Sequence, residues 1–518
     1  MPDDALIWGP LRVDNPFARS LRRPWQESSR VGAIKKGREN GPRVRNSKWR
    51  RRQELQSIMS LKSGLAKDMV VHHRHQQFKL VSAKFSYGML HSGPTRLLRL
   101  NPKPNLIFVA TRVPFPAVTG HYLRTLNILR GLTEHFDVCF FGFHDKDAAQ
   151  AASAEAERAM RAICEEVYIE HVGAERSRIR LIWDLLSSAL TLRPFVAAKY
   201  HSASMHRAIR ATLRSRNVAL VHADSLPSGQ YLAGIAVPKL LTNHNIEYVR
   251  LWSYASIQRS RIKKIAFQIQ ATLTKRYERR MLLAAGNCVV VSAADGEALA
   301  QLAPEARFFL VNNGTDTSYP PLPLPPSGSH TALWVGGMND VYNREAVNYF
   351  ANEILPQIRT QVPQFRWRVV GRDPPKSLVD LAADPNSGVE LAGFVADLRR
   401  EYADAAIVVV PLTSGGGTKL KVLEAMAMGR AVVTTPIGAE GIAVRDGLEM
   451  EIADSAKAFT SKTIRLLLDA RRAAHMASAA RALAERSYDW RAVNRDMHDA
   501  VRLVIEAATI REQSACAG

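Results

Sequence analysis

The sequence predicts an α/β protein made of two doubly wound halves that face each other across a cleft, behind a basic N-terminal extension. Three observations carry this. From residue 105 onward, short apolar runs alternate with segments of helical period. A proline-rich connector, YPPLPLPPSG at 319–328, interrupts the alternation, which then restarts. Finally, 406–429 compress a strand, a glycine loop and a helix into one motif.

In the first half, NLIFVAT at 105–111 is an apolar run closed by a Pro-rich turn at 113–116. A helix starts near Gly120, with Leu123, Leu126, Leu129 and Leu132 as its stripe, and 137–142 form the next strand. Further strands are expected at 167–170, 219–222, 239–242 and 288–291. Helices are expected at 151–165, 177–215 with a break at Pro194, 229–235, a long basic region at 255–284, and from 294. After the connector, strands fall at 332–335, 367–370, 389–391, 407–410 and 431–433. Helices fall near 344–360, 376–382, 398–403, 418–428 and 455–468, with a terminal helix near 491–508. The domains read as 1–100 (extension), 101–318, 319–490, and a terminal helix and tail at 491–518 that crosses back to the first half. In doubly wound sheets the ligand lies beyond the carboxyl ends of the strands.

Composition narrows the class. Residues 1–100 hold 21 Lys/Arg against 7 Asp/Glu, whereas the whole 518-residue chain has a net charge of +23. Residues 1–60 have few recurring apolar positions and read as mostly disordered. Three readings of this segment stay open: a solvated tail, a contact with an anionic membrane, or an upstream start codon ahead of Met69 or Met89. Aromatics are not interleaved with its basic residues, so stacking on nucleic-acid bases has no support. No apolar run is long enough for a membrane-spanning helix, and the N-terminus does not read as a secretory signal. Cys139, Cys164, Cys288 and Cys516 are scattered without metal-ligand spacing, which fits a reduced cytoplasmic setting. The stretch 178–200 is apolar with basic flanks; it would lie on an anionic surface or pack against the first half.

The motif at 411–429, PLTSGGGTKLKVLEAMAMG, follows the buried strand. Gly415, Gly416 and Gly417 allow a tight turn and close approach of a ligand. The following helix start leaves N–H groups unpaired and carries positive dipole charge. Lys419 and Lys421 in or near its first turn make sense if an anion is bound there, phosphate above all, with Thr418 in the same loop. Glu424, one turn on, is placed to accept hydrogen bonds from ribose hydroxyls. The alternative is a glycine-bearing turn with a solvated lysine pair.

Other positions are weighed the same way. Gly371 closes a strand and would admit a nucleotide, with Arg372 near phosphate or base, or is a bare turn. Gly393, Phe394 and Val395 would present backbone groups to a base, or simply end a strand. Gly337 follows the first strand of the second half; Asn343 is a helix cap or a polar contact to the sugar phosphate. Gly120 and Arg124 would meet an acceptor or a diphosphate, unless Arg124 is a plain surface residue. His244, Asn245 and Glu247 end a first-half strand and suit a cleft, although a lone histidine is more often structural. No metal-ligand cluster and no Asp-x-Asp pair follows a strand, so nothing calls for a divalent ion or other cofactor. No GxSxG elbow or Walker loop occurs.

These residues resemble retaining glycosyltransferase family 4. The run VELAGFVADLRREYADAAIVVVPLTSGGGTKLKVLEAMAMGRAVVTTPIGAEGI is the most specific part; LWVGGMNDVYNREAV, WRVVGRDP, NHNIEY and YERRMLLAAGNCVVVSAADGEAL are similar. The resemblance covers about 105–505 and implies the GT-B fold, two Rossmann-like domains with the donor held by the second. It implies a metal-independent transfer from a nucleotide-diphosphate sugar to a glycan or polyprenyl-linked acceptor, in bacterial exopolysaccharide or envelope-glycan synthesis, at the inner face of the plasma membrane. Glu424 matches the second of the family's two glutamates, which binds the donor ribose. The first would fall at Gly416 and is absent. The usual Arg and Lys diphosphate clamp is also missing, with Asn339 and Asn343 in its place, so Lys419 and Lys421 are expected to supply that charge. His244 resembles the first-domain histidine beside the transferred sugar. The resemblance thus implies His244, Glu424 and Lys421 as the catalytic set. Nucleotide-sugar 2-epimerases of the same fold, and a non-catalytic anion- or nucleic-acid-binding protein, are the competing readings.

Overall fold

The computed structural model of the chain describes residues 103–516, other than 118, 146–149, 173–187, 189–192, 259 and 327. The extension at 1–100 and most of the 178–200 stretch lie outside the described residues.

Two parallel sheets form the frame. The first contains β1 Asn105–Val109, β2 Asp137–Asp145, β3 Glu166–Val172, β4 Val218–Ala223, β5 Lys239–Asn243, β6 Asn287–Val290 and β7 Arg307–Leu310. Their order is β3-β2-β1-β4-β5-β6-β7. The second contains β8 Thr331–Val335, β9 Arg366–Val370, β10 Val389–Gly393, β11 Ile407–Val410, β12 Ala431–Thr434 and β13 Glu451–Ile452, in the order β10-β9-β8-β11-β12-β13. Chain order reverses beside β1 and β4, and again beside β8 and β11. Such reversals open a crevice at the strands' carboxyl ends.

Helices cover both faces of each sheet, so the central strands are apolar throughout rather than alternating. All four residues of β11 are buried, with Ile407 opposite Ala431 and Val409 opposite Val433. In the second domain Phe350 packs 4.4 Å from the Trp367 ring and edge-on to Phe459. The first domain has a core on each face of its sheet. One joins Phe108, Phe140 and Leu129 to Val493, Met497, Val501 and Val504 of the terminal helix Trp490–Cys516. That helix therefore leaves the second domain and closes the first. A Cβ on Gly131 would collide with Asn494, so the glycine sets how closely the two helices cross.

The chain passes between the domains twice, and the two passages are bonded side by side. Thr315 N donates to Tyr488 O (2.7 Å), and Trp490 N donates to Thr315 O (3.2 Å). Asp489 accepts from Thr317 N and Thr317 Oγ1 across the same junction.

Several elements differ from the sequence reading. The basic region at 255–284 is two helices, Glu247–Ile257 and Arg261–Ala285. Ser260 caps the second by accepting from Lys263 N, which starts a new helix. The expected helix at 229–235 is a 3₁₀ segment, Leu226–Leu232. Strands β7 and β13 and the helix Ala470–Ser487 are additional. Half of its buried face is alanine (Ala477, Ala480 and Ala484) and Arg481 lies on it too, which leaves little apolar contrast to read.

Candidate active site

The glycine loop leaves the carboxyl end of β11. Gly415 and Gly417 have φ of 112° and 73°, a region that favours glycine. A Cβ on Gly416 would meet nothing within 4 Å, so the middle of the loop faces open space. A Cβ on Gly417 would stand 2.6 Å from Asn245 Oδ1, which brings the loop against the 244–245 turn of the first domain. Likewise, a Cβ on Gly120 would meet Leu420 Cδ1 at 2.5 Å. Thr418 Oγ1 is buried without a hydrogen-bond partner among the described residues.

The helix proper is Leu420–Ala427, with Lys419 in the cap position. The two lysines point different ways. Lys419 Nζ donates to Gly417 O (2.5 Å) and lies 3.7 Å from Glu440 Oε2. Lys421 Nζ is held by a neutral oxygen, Asn343 Oδ1 (2.7 Å), and stands 3.9 Å from the centre of the Trp334 ring. Burial pushes Lys421 down to about 7, and Lys419 adds to this, against the pull of Asp340 and Glu424. Asn343 in turn donates to Gly337 O (2.8 Å), while a Cβ on Gly336 would crowd Lys421 Nζ. Asn343 is therefore not the cap of its helix. Asp340 is, accepting from Tyr342 N and Asn343 N. Glu424 Oε2 accepts from Tyr402 Oη (3.1 Å); burial raises its carboxyl, opposed by that bond and by Lys421.

Arg372 and Phe394 meet at the ends of β9 and β10. The guanidinium lies 4.1 Å from the centre of the exposed Phe394 ring, and Val395 packs against the core beneath. Gly371 has a packing reason of its own: a Cβ there would collide with the Gly336 carbonyl, so the crossing of two backbone loops requires the glycine.

Across the cleft, three strand ends converge on His244. Its Nε2 lies 2.5 Å from Asp224 O and 3.5 Å from Asp224 Oδ1, and its ring meets His121 edge-on at 4.5 Å. Thr125 Oγ1 donates to Asp224 Oδ2 (2.6 Å). Burial alone would raise Asp224, but the charge and hydrogen bond of His244, with His222 and His121, hold it well below the usual carboxylate range. His121 is pushed down to about 3, by burial and then by His244. The ligand atoms of His121, Asp224 and His244 lie within 4.8 Å of one another, a set able to hold a metal ion. The sequence reading found no metal-ligand cluster, because these residues are far apart along the chain.

One first-domain expectation is corrected. Arg124 is neither in the cleft nor on the surface. It is buried, donates to Val311 O and Asn312 O, and ties its helix to the end of β7. Burial lowers it to about 10. Glu247 turns its carboxylate onto Arg250 (2.8 Å). Sequence reasoning missed His121 and the buried residues behind the cleft, Asp224, Thr125 that donates to it, and Tyr402 that donates to Glu424. A signal was present for Asp224, an aspartate just past the carboxyl end of β4.

Two parallel-sheet domains with these loops at their carboxyl ends define a GT-B glycosyltransferase. The description "Glycosyltransferase Family 4" matches residues 124–319, and "Glycosyl transferases group 1" matches 329–469. The boundary between the two falls in the proline-rich connector. The chain is a glycosyltransferase, with both halves represented. It is 23% identical over 377 residues to a 44.6 kDa protein of the Klebsiella pneumoniae cps region, covering 69% of this chain and 90% of that protein. Its fold is similar to that of the sucrose-phosphate synthase of Thermosynechococcus elongatus, with a TM-score of 0.55, 17% identity, and coverage of 78% of this chain and 100% of that one. It is also similar to Anabaena HepE, solved with UDP and glucose, with a TM-score of 0.51, 15% identity, and coverage of 77% and 99%.

Proposed function

We propose that the protein is a retaining hexosyltransferase that takes a sugar from a nucleotide diphosphate and passes it to a glycan or polyprenyl-linked acceptor. The observation that carries this is the pairing of Lys421 and Glu424 on one helix with His244 and Asp224 on the opposite wall. The diphosphate leaving group gains negative charge as the glycosidic bond breaks. Loop N–H groups at 416–418 and Lys421 meet that charge as fixed donors. Glu424, oriented by Tyr402, accepts from the ribose hydroxyls. His244 contacts the sugar or its departing phosphate. Attack on the same face as departure accounts for retention.

A donor site that meets the diphosphate with lysine and amides fits transfer without a divalent ion. HepE was solved with UDP and glucose, which supports a uridine nucleotide among the donors to test first. The cps-region relative fits a place in bacterial polysaccharide synthesis. The test is calorimetric binding of UDP-, GDP- and dTDP-sugars, followed by transfer assays with chelator present and NMR of the product anomer. Binding of one nucleotide series and an unchanged anomeric configuration are expected. Donor turnover that needs no acceptor, or loss of transfer in chelator, overturns the corresponding part.

A further inference from the structure

The helices Glu247–Ile257 and Arg261–Ala285 leave apolar side chains in solvent beside the cleft. Ile262, Ile265 and Ile269 are 83%, 55% and 47% exposed and lie on one face of the second helix, at i, i+3 and i+7. Val249 and Trp252 are exposed on the first. The two helices run antiparallel, with Tyr254 stacked on Phe267 and Lys275 over the Tyr248 ring. That register sets Trp252 at about the level of Ile269. The pair begins directly after His244 and Asn245, and Tyr254 meets Tyr342 of the second domain at 5.4 Å. The base of the helix pair therefore stands at the reaction cleft, and its apolar face extends outward from there.

Its charge is one-sided. Between Glu247 and Glu278 the sequence has seven Lys or Arg and no Asp or Glu. The two flanking carboxylates offset little of this: Glu247 pairs with Arg250 alone, and Glu278 is buried. Exposed Arg261, Lys263 and Lys264 stand among the isoleucines. Protein–protein interface centres are depleted of lysine. Isoleucine and tryptophan with interleaved lysine are what an anionic bilayer surface takes, with apolar tips at the acyl boundary and cations at the headgroups.

We propose that this helix pair docks the enzyme onto an anionic lipid bilayer, with Ile262, Ile265 and Ile269 at the acyl boundary, and so sets the cleft at the membrane face. The inference rests on the membrane-side acceptor of the proposed function. It also explains how a polyprenyl-linked acceptor reaches a site in a chain in which no helix, among the described residues, is long and apolar enough to cross a membrane.

The test uses the full chain carrying Ile265→Cys and Cys516→Ser, labelled with an environment-sensitive thiol dye. Cys139, Cys164 and Cys288 are buried and stay unlabelled. Vesicles of phosphatidylglycerol and phosphatidylcholine are compared with phosphatidylcholine alone. A blue shift on the anionic vesicles, and quenching by brominated acyl chains, are expected. Ile262→Asp with Ile269→Asp should weaken vesicle affinity tenfold or more while leaving melting temperature and donor binding unchanged. A label that stays in water on vesicles that do sediment the protein overturns the proposal. So does an equal dye response to duplex DNA. Because the dye reads insertion, failure of the donor assays leaves this result interpretable by itself.

Discussion

Lys421 is the residue on which the donor site's charge turns. Held by Asn343 beside the Trp334 ring rather than by a carboxylate, it is lowered to about 7 by burial, with Lys419 adding to this. A bound diphosphate would return it toward its ordinary value, so the sign is fixed. Below pH 7 the amine is already charged and binding takes up no proton. Above it, donor binding takes up a proton, and affinity falls as pH rises. Calorimetry in two buffers of different ionisation enthalpy, from about pH 6 to 9, reads this directly. Lys421→Met should abolish both the uptake and the slope; uptake that persists in that variant counts against the assignment. Glu424→Ala should remove charged hydrogen bonds of about 1.5–3 kcal/mol, which is on the order of 10- to 100-fold in kcat/KM, with the fold retained but the melting temperature lowered by the unpaired Tyr402 hydroxyl. Full activity would sink the ribose role. Both residues were legible because the loop, the lysines and the glutamate are within ten positions of one another. His121, Asp224 and His244 were not legible as a group. They meet because β1, β4 and β5 lie side by side, which no local pattern encodes.

At the scale of elements, one turn positions the first-domain wall, and Glu278 holds it. Its carboxylate accepts from Asn243 Nδ2, Glu247 N and Tyr248 N, and so covers the amides that open the helix Glu247–Ile257. Burial, with Glu247 nearby, raises Glu278 to about 8. A carboxyl raised on folding contributes stability below its unfolded value near 4.5, and that contribution is lost as pH climbs toward 8. The ceiling is about 5 kcal/mol over the window. Glu278→Gln does not titrate, so its melting temperature should fall less than that of the wild type from about pH 5 to 8. Parallel melting curves would refute the idea. The same turn shows why strands were easier to read than helix boundaries. Continuous apolar runs such as 407–410 announce a strand buried on both faces. The start of the second helix at Arg261 is marked only by the Ser260 hydroxyl reaching Lys263 N. The buried face of Ala470–Ser487, half alanine and carrying Arg481, hides a helix that packing makes obvious.

At the scale of the whole molecule, the two passages between domains act as one junction. The chain enters the second domain past Thr315 and leaves it at Tyr488, and these meet by backbone bonds in both directions. Asp489 fastens them. It accepts from Thr317 N and Thr317 Oγ1 on the outgoing passage and from Arg491 N and Nε on the returning one. Beyond it, the terminal helix buries Val493, Met497, Val501 and Val504 in the first domain's core, so the returning passage is anchored at its far end. The junction at residues 315–317 and 488–490 is therefore where a change in the cleft's opening would be absorbed. Asp489→Ala removes the acceptor and leaves a buried Thr317 N–H unpaired, at a cost of about 1–3 kcal/mol. A junction that guides closure should also lose alignment, moving kcat and KM together, as hinge substitutions do. Thermal unfolding and steady-state kinetics on the same preparation separate the two effects. A lowered melting temperature with unchanged kcat and KM would leave Asp489 a structural brace only. Altered kinetics at a temperature where the variant is fully folded would make it part of the closing motion.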